Sequence, residues 1–331
     1  MNFLQSARIA SVGIGLPERV LTNQDFERLV ETSDEWIFER TGIRTRRVAA
    51  EGIATSDLAA QAGRDALAKA DVQPSDVDLI IVATMTPDTV LPATAALVQK
   101  KLKAHGAWGF DLNIACSGFL YAMQVGVQFV NTGRHKNVLV IGADVMSSVV
   151  DYSDRETCIL FGDAAGAVVL QPSPENSFST FIDFIHEIDG EGSEALCIPA
   201  GGSRLPASRD TVDRKEHFLR QEGRAVFRFG TVKMADVCQQ VLQQNNIDPN
   251  DVDLFVPHQA NKRIIEAAVK RLGLDMDRVV VNIGDYGNTT AATIPLALNS
   301  ALESGRLKRG DLVLTASMGG GFAWGACLFR F

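Results

Sequence analysis

The chain has 331 residues, 46% of them hydrophobic and 22% charged, which is typical of a globular protein with a substantial buried core. A formal net charge of −8 argues against a general nucleic-acid-binding protein, although a local basic patch would still accept an anionic ligand. We expect neither a membrane span, which needs ~18 consecutive apolar residues, nor a signal sequence. The five cysteines form no CxxC pair, which favours a reduced, cytoplasmic compartment.

Short apolar runs alternate with amphipathic helical patterns along the whole chain. Four of these runs predict buried strands, namely residues 77–83 (VDLIIVA), 137–142 (NVLVIG), 252–256 (VDLFV) and 311–316 (DLVLTA). A helical pattern precedes or follows each run. The sequence therefore predicts an α/β protein whose strands are covered by helices on both faces of the sheet.

Three pairs of similar segments recur in the same order along the chain. The pairs are residues 72–83 with 247–258, 116–134 with 288–306, and 166–170 with 325–329. We predict two homologous α/β halves, residues 1–175 and 176–331, with an insertion at residues 171–223 that is rich in Gly, Pro and Ser. In this pairing Cys116 corresponds to Asn288, and His258 corresponds to Ala83.

Cys116 lies where the strand-like segment DLNIA gives way to CSG and then to an apolar helix. The N-terminus of a helix favours thiolate over thiol, and a thiolate is a good nucleophile for a thioester carbonyl. The alternative is a buried structural cysteine, which is the common fate of a lone cysteine.

His258 follows the predicted strand 252–256, at the carboxyl end where α/β folds usually place their sites. It could equally be a histidine that only caps the next helix. Asn288 is followed by two threonines and is, by itself, an ordinary helix N-cap. Beside Cys116 and His258, its amide becomes a candidate donor to a developing enolate.

Three consecutive glycines, Gly319, Gly320 and Gly321, stand near the C-terminal end of the sequence. Glycine lets a ligand approach the backbone closely, so N–H groups here are candidates for an oxyanion hole. A sharp turn before the last strand is the alternative, and the two are compatible.

Six segments together resemble 3-oxoacyl-acyl-carrier-protein synthase III, a family of condensing enzymes in the thiolase-like superfamily. They are TSDEWIFERTGIRTRR, NIACSGF, FGDAAGA, VPHQANKRI, GNTTAATIP and GGGFAWG, which begin at Thr32, Asn113, Phe161, Val256, Gly287 and Gly319. The likeness covers nearly the whole chain. It implies the thiolase fold, with two homologous halves in a layered α-β-α-β-α arrangement, and a homodimer.

The resemblance also implies a reaction. An acyl-CoA would acylate Cys116, and malonyl-acyl-carrier-protein would then lose CO2 and attack the acyl-enzyme to give a 3-oxoacyl-carrier-protein, which initiates fatty-acid synthesis. His258 and Asn288 would bind the malonyl thioester carbonyl, and the N–H groups of Cys116 and Gly320 would form the oxyanion hole. The family needs no metal and no redox cofactor, and it implies no nucleic-acid or membrane partner.

The resemblance assigns binding residues as well. Those expected to contact CoA are Thr32, Trp36, Arg40 and Arg155. Trp36 and Arg155 would stack on the two faces of the adenine. Those expected to dock the acidic carrier protein are Arg228, Lys262, Arg263, Lys270 and Arg271. Leu91 falls near the residue that closes the acyl pocket across the dimer in many relatives.

One more basic group precedes the first long helix. It consists of Arg44, Arg46 and Arg47. These arginines either form a solvated turn or supply a positive field for the CoA phosphates.

Other functions compete with this interpretation. A ketoacyl synthase III-like enzyme of secondary metabolism would keep the same three polar residues but accept a longer or unusual primer. A 3-hydroxy-3-methylglutaryl-CoA synthase is disfavoured because its catalytic glutamate context is not apparent. A non-catalytic acyl-carrier-binding protein would have little reason to keep Cys116, His258 and Asn288 together.

Overall fold

The structure is a computed structural model that describes residues 5–175 and 177–331. Its strands, in chain order, are β1 (Ala7–Gly15), β2 (Arg19–Thr22), β3 (Thr45–Val48), β4 (Leu79–Ala83), β5 (Trp108–Leu112), β6 (Val138–Asp144), β7 (Ala164–Pro172), β8 (Thr180–Ile188), β9 (Leu196–Cys197), β10 (Arg220–Gln221), β11 (Leu254–Pro257), β12 (Leu312–Gly319) and β13 (Ala323–Arg330).

Helices lie between these strands. In chain order they are α1 (Asn23–Glu27), α2 (Asp34–Thr41), α3 (Thr55–Lys69), α4 (Thr94–Leu102), α5 (Gly118–Asn131), α6 (Arg155–Cys158), α7 (Arg209–Asp213), α8 (Gly223–Gln244), α9 (Lys262–Leu272), α10 (Ile283–Tyr286) and α11 (Thr293–Glu303). None of the helices in the described residues is long and apolar enough to cross a bilayer.

Two larger sheets have the same topology. The first has the strand order β1-β7-β6-β4-β5, and the second has the order β8-β13-β12-β11. In both sheets the first two pairings are antiparallel and the next is parallel. The second sheet has a single parallel bridge, Phe255 with Val279, in the place where β5 pairs with β4. The two sheets are thus built on one plan.

Five layers result from the way the helices cover the sheets. Leu79 and Ile81 of β4 face the central helices α5 and α11, while Ile80 and Val82 face the outer helices α3 and α4. Helices α8 and α9 cover the outer face of the second sheet. Because both faces of each sheet are buried, the strands are continuous apolar runs. The α-β-α-β-α thiolase fold predicted from the sequence is confirmed.

The predicted correspondence of Cys116 with Asn288 is wrong by three residues. The 3-10 turns before the central helices are Ala115–Ser117 and Thr290–Ala292. Each turn begins with a non-glycine residue at positive φ, 44° at Ala115 and 52° at Thr290. The counterpart of Cys116 is therefore Ala291. Helix α11 has 11 residues and α5 has 14. The predicted pairing of residues 116–134 with 288–306 matched the two segments at their C-terminal ends, and the shorter α11 therefore starts three residues later than this pairing assumes.

The predicted insertion at residues 171–223 begins too early. Strand β8 pairs with β13 along its whole length and belongs to the second sheet. The excursion from the sheet therefore runs from residue 189 to residue 222 and contains α7 and the β9–β10 pair. The chain passes from the first sheet to the second between Pro172 and Thr180. The division into homologous halves at residue 175 remains a prediction.

Candidate active site

Cys116 is held in a tight turn between strand β5 and helix α5. The Ala115 N–H donates to Asn113 Oδ1 at 3.3 Å, and the Ser117 N–H donates to the carbonyl of Ile114 at 3.0 Å. The Ser117 hydroxyl reaches the second half of the chain and donates to the carbonyl of Ala323 at 2.9 Å. These contacts fix the turn from both halves, so the position of the thiol does not depend on its own hydrogen bonds.

Burial, rather than the helix terminus, governs the ionisation of Cys116. Desolvation raises the pKa of the thiol to about 12, and the nearby carboxylate of Asp144 adds to the increase. A backbone N–H at the start of the helix lowers the pKa of the thiol, as predicted, but the increase caused by burial is larger. A helix terminus stabilises an anion by roughly 0.3–1 kcal/mol at exposed positions, which is too little to offset burial at this depth.

His258 follows β11 and is buried against α11. Its backbone N–H donates to the carbonyl of Ala316 at 2.8 Å, which extends the pairing of β11 with β12 by one residue. Nδ1 lies 2.6 Å from the hydroxyl oxygen of Thr293. Nε2 is buried without a hydrogen-bond partner in the described residues. Desolvation lowers the pKa of the ring to about 3, so His258 is neutral at physiological pH.

Asn288 lies at the crossing of two chain segments. Its backbone N–H donates to the carbonyl of Leu160 at 2.9 Å, and its carbonyl accepts the N–H of Gly162 at 3.0 Å. Its side-chain Oδ1 accepts the N–H of Thr290 at 2.9 Å. Because Oδ1 is occupied in this way, the amide NH2 is the group that Asn288 can offer to a ligand.

One large cavity brings the three residues together. Its volume is about 1170 Å³, and its wall includes Cys116, His258 and Asn288. A second, small cavity of about 50 Å³ opens beside Cys116 and has mainly apolar walls. Its lining residues include Met85, Met146, Ile198 and Leu219. Cys116 thus stands at the junction of a wide approach and a narrow apolar chamber.

The glycines at the end of β12 and just after it lie against Cys116. A Cβ atom on Gly319 would lie 2.8 Å from the backbone nitrogen of Cys116, closer than real Cβ contacts allow. Gly319 lines the large cavity and Gly320 lines the small one. Both flank Cys116, and the assignment of the oxyanion hole to the N–H groups of Cys116 and Gly320 remains a prediction.

Comparison with known proteins identifies the family. Residues 110–190 match the family model for 3-oxoacyl-[acyl-carrier-protein] synthase III, and residues 242–331 match the model for the C-terminal part of the same family. The chain belongs to the 3-oxoacyl-[acyl-carrier-protein] synthase III family. It is therefore a condensing enzyme, an acyltransferase, as the sequence predicts.

Named relatives cover the whole chain. The beta-ketoacyl-[acyl-carrier-protein] synthase III of Solibacter usitatus (strain Ellin6076) is 54% identical over 99% of this chain and 99% of its own. The enzyme of the same name from Koribacter versatilis (strain Ellin345) is 47% identical over 100% and 99%. The crystal structure of 3-oxoacyl-[acyl-carrier-protein] synthase III from Aquifex aeolicus VF5 superposes with a TM-score of 0.90 at 44% identity, covering 98% of this chain and 100% of that one.

The residues expected to contact CoA separate into two groups. Trp36 and Arg40, on α2, line the large cavity. The guanidinium carbon of Arg155 lies 4.5 Å from the centre of a Trp36 ring, so the expected stacking pair is in direct contact. Thr32 does not line this cavity, and its hydroxyl is buried without a hydrogen-bond partner in the described chain.

The five cations expected to dock a carrier protein differ in their surroundings. Arg228 and Arg263 line the mouth of the large cavity. Lys262 pairs with Glu266 at 3.6 Å along helix α9, and Arg271 pairs with Asp236 at 2.6 Å. Lys270 is exposed on the same helix. Only Arg228 and Arg263 therefore join this basic group to the cavity.

Within the basic run near residue 45, Arg46 is neither part of a solvated turn nor available to CoA phosphates, because it is buried. For Arg44, which is exposed, both interpretations remain predictions. Arg46 is fully buried, its guanidinium donates to Asn23 Oδ1 at 2.6 Å and to the carbonyl of Ile159, and its charge lies 4.4 Å from the Phe26 ring centre. Desolvation lowers its pKa to about 10. Arg46 is thus a structural residue that ties the N-terminal segment to the α6 region.

Several residues of the candidate site were not predicted from the sequence. Arg224, one helical turn before Arg228 on α8, also lines the large cavity. Thr293, which contacts His258, lies inside the GNTTAATIP segment that marks the family. Asp144 ends strand β6, two residues beyond the predicted strand 137–142, and a carboxylate close after a buried strand was the sequence pattern that could have indicated it.

We predict that the reactivity of Cys116 rises steadily with pH. Because the pKa of the buried thiol is raised, the thiolate fraction should increase about tenfold for each pH unit between pH 6 and 9. The measurement is the rate of alkylation of Cys116 by iodoacetamide, followed by peptide mass spectrometry, with a small free thiol as control. A rate that levels off below pH 8 would show instead that the helix terminus has lowered the pKa.

Proposed function

We propose that this chain condenses an acyl-CoA primer with malonyl-acyl-carrier-protein, with loss of CO2, to give a 3-oxoacyl-carrier-protein and free CoA, and so initiates fatty-acid synthesis. One observation carries the proposal: Cys116 stands between a wide cavity and a small apolar chamber, with His258 and Asn288 on the same wall. A long pantetheine arm would enter through the wide cavity. The acyl group would lie in the chamber.

The first half-reaction moves the acyl group to Cys116. The sulfur forms a bond to the acyl carbonyl carbon, the bond from that carbon to the CoA sulfur breaks, and the thiol proton is transferred to the departing CoA thiolate. Backbone N–H groups of Cys116 and Gly320 would stabilise the oxygen of the tetrahedral intermediate. The acyl chain then lies among the apolar residues of the small cavity.

The second half-reaction generates its own nucleophile. The bond between the malonyl carboxylate carbon and the methylene carbon breaks, CO2 leaves, and the electron pair passes into the thioester as an enolate. Hydrogen bonds from neutral His258 and from the Asn288 amide would stabilise the enolate oxygen. The methylene carbon attacks the acyl thioester, and the Cys116 sulfur leaves and recovers a proton. Electrons and atoms balance without a cofactor.

The surroundings of the small cavity favour a short primer over a long one. The chamber of about 50 Å³ is lined mainly by apolar residues of this chain. Two of them, Met85 and Met146, are flexible and can adapt to small differences in shape. An enzyme of secondary metabolism that takes a long primer would need a larger chamber, and the identity of 54% over the full length to a synthase III also supports the primary function.

Binding of CoA would separate the stacked pair at the cavity rim. A purine between Trp36 and Arg155 cannot fit within the present 4.5 Å, so the exposed guanidinium must swing away and stack on the far face of the base. Arg40 faces the same cavity and would attract the phosphates.

A homodimer accounts for the exposed apolar residues near β5. This strand is an edge of the first sheet, and Trp108 on it is half-exposed. Val90 and Leu91, in the loop before α4, are 96% and 85% exposed. Since a long apolar edge is usually covered by pairing, a second copy would bury both features. Leu91 would then reach the partner's acyl chamber.

All five cysteines are free, in line with a cytoplasmic enzyme.

We predict that the two half-reactions separate by residue. Cys116→Ala should abolish acyl transfer from CoA but keep decarboxylation of malonyl-carrier-protein. His258→Ala and Asn288→Ala should still accept an acyl group on Cys116 and should lose decarboxylation by roughly 10²–10³, as for one lost oxyanion donor. The measurement is release of labelled CO2 beside labelled acyl transfer. Loss of acylation in His258→Ala as complete as in Cys116→Ala would make His258 the base for the thiol.

We predict that Arg263→Glu weakens the use of malonyl-carrier-protein by roughly tenfold at low salt, while acylation by CoA substrates changes much less. The charge reversal opposes an acidic protein at the cavity mouth, and salt should reduce the difference. Arg64→Glu, on the outer face of α3, makes the same charge change elsewhere and should have no effect. Equal losses for the two variants would point to net charge instead of docking.

We predict that Leu91→Phe shifts the primer preference toward shorter acyl-CoAs. The larger side chain would reduce the space at the end of the acyl chamber, and each methylene that no longer fits should disfavour the longer substrate by roughly 1–3 kcal/mol. Val90→Phe, at the neighbouring exposed position, is the control and should leave the acyl-CoA profile unchanged. The measurement is kcat/KM for acetyl-, isobutyryl- and octanoyl-CoA. If both variants keep the original profile, Leu91 does not line the chamber.

A further inference from the structure

The neutral ring of His258 carries one N–H proton, which can be on either of its two nitrogens. A neutral imidazole carries a single N–H, so one nitrogen donates and the other accepts. Nδ1 faces the hydroxyl oxygen of Thr293 at 2.6 Å. Nε2 is buried and has no hydrogen-bond partner in the described residues, and His258 is one of the residues that line the large cavity. The location of the proton decides whether Nε2 offers the cavity a donor or an acceptor.

The Thr293 hydroxyl also has one proton and two acceptors within reach. Its oxygen lies 2.6 Å from His258 Nδ1 and 3.0 Å from the carbonyl of Thr290. That carbonyl already accepts the backbone N–H of Thr293. The carbonyl therefore has a hydrogen bond without the hydroxyl. The hydroxyl can donate its proton to His258 Nδ1, which is the nearer of the two acceptors.

The reaction requires a donor at the cavity. A thioester carbonyl and an enolate oxygen carry lone pairs only, so the groups that stabilise them must donate. Asn288 meets this requirement, because its Oδ1 is occupied by the Thr290 N–H and its NH2 remains free. His258 meets it only when the proton is on Nε2. The other tautomer would direct a lone pair at the enolate.

We propose that Thr293 is a positioning residue, whose hydroxyl donates to Nδ1 of His258 and thereby holds the ring proton on Nε2, facing the malonyl thioester. The inference rests on the proposed function for the identity of that substrate. It has a second consequence. With Nε2 protonated and Nδ1 occupied, neutral His258 has no free lone pair for the Cys116 thiol, so it does not act as the base for acylation.

Three variants test this role. Thr293→Val removes the hydroxyl and keeps the shape of the side chain, and Thr293→Ser restores the hydroxyl. Thr289→Val is the matched control, because Thr289 is also buried, lies four residues earlier on the same segment, and has a hydroxyl without a hydrogen-bond partner in the described residues. Each variant is assayed for acylation of Cys116 and for decarboxylation of malonyl-carrier-protein. The ring tautomer of His258 is read by long-range 1H–15N NMR of histidine-labelled protein.

The wild type should show a protonated Nε2 and an unprotonated Nδ1. Thr293→Val should lower kcat for decarboxylation about ten- to hundredfold, the size expected when a buried polar atom loses its hydrogen-bond partner, and should alter the 15N signals of His258. Acylation should stay within about twofold. Thr293→Ser should recover most of the activity and the wild-type tautomer, and Thr289→Val should match the wild type.

Three results would overturn the proposal. A wild-type proton on Nδ1 would contradict it directly. Full decarboxylation by Thr293→Val would show that the hydroxyl is not needed, and equal losses in both half-reactions would indicate a purely structural role. The NMR measurement needs no turnover. A wild-type protein that fails to decarboxylate malonyl-carrier-protein would therefore refute the proposed function while the tautomer could still be assigned.

Discussion

A buried carboxylate near Cys116 joins the two parts of the chain that form the candidate active site. Asp144, at the end of β6, accepts hydrogen bonds from the Thr84 hydroxyl at 3.0 Å and from the Thr290 hydroxyl. Thr84 follows β4 in the first half, and Thr290 opens the turn before α11 in the second. Because a buried carboxylate without donors costs several kcal/mol, the loops that supply them must stay together. The relative placement of Cys116 and Asn288 follows from this constraint.

The same buried charge influences the chemistry at Cys116. Desolvation raises the pKa of Asp144, and its carboxylate in turn opposes a second negative charge on the thiol. The resting site therefore presents a neutral thiol and a neutral His258 to the substrate. Neutral donors stabilise a developing enolate without the desolvation cost that a buried imidazolium would carry. The site is thus suited to charge that appears only during the reaction.

Local sequence patterns predicted the layered fold and the positions of the candidate site residues. The properties that depend on burial could not be predicted in this way. The layered fold follows from apolar runs such as 79–83, and the positions of Cys116 and His258 follow from strand ends and family motifs. The ionisation of Cys116 and the role of Arg46 did not follow, because both depend on side chains that are distant in sequence. Arg46 looked like part of a solvated basic run, yet its guanidinium bonds to the carbonyl of Ile159, 113 residues away.

The turn before α11 has a buried alanine where the turn before α5 has Cys116. Ala291, the counterpart of Cys116, packs at the crossing of the two turns, where a Cβ on Gly142 would lie 2.3 Å from the Ala291 carbonyl oxygen and a Cβ on Gly118 would lie 3.9 Å from the Ala291 side chain. Ala291 is only 1% exposed, so a larger side chain at this position would have to displace neighbouring atoms. The second half has no thiol at this position. It contributes instead from either side of that turn, with Asn288 before it and Thr293 after it.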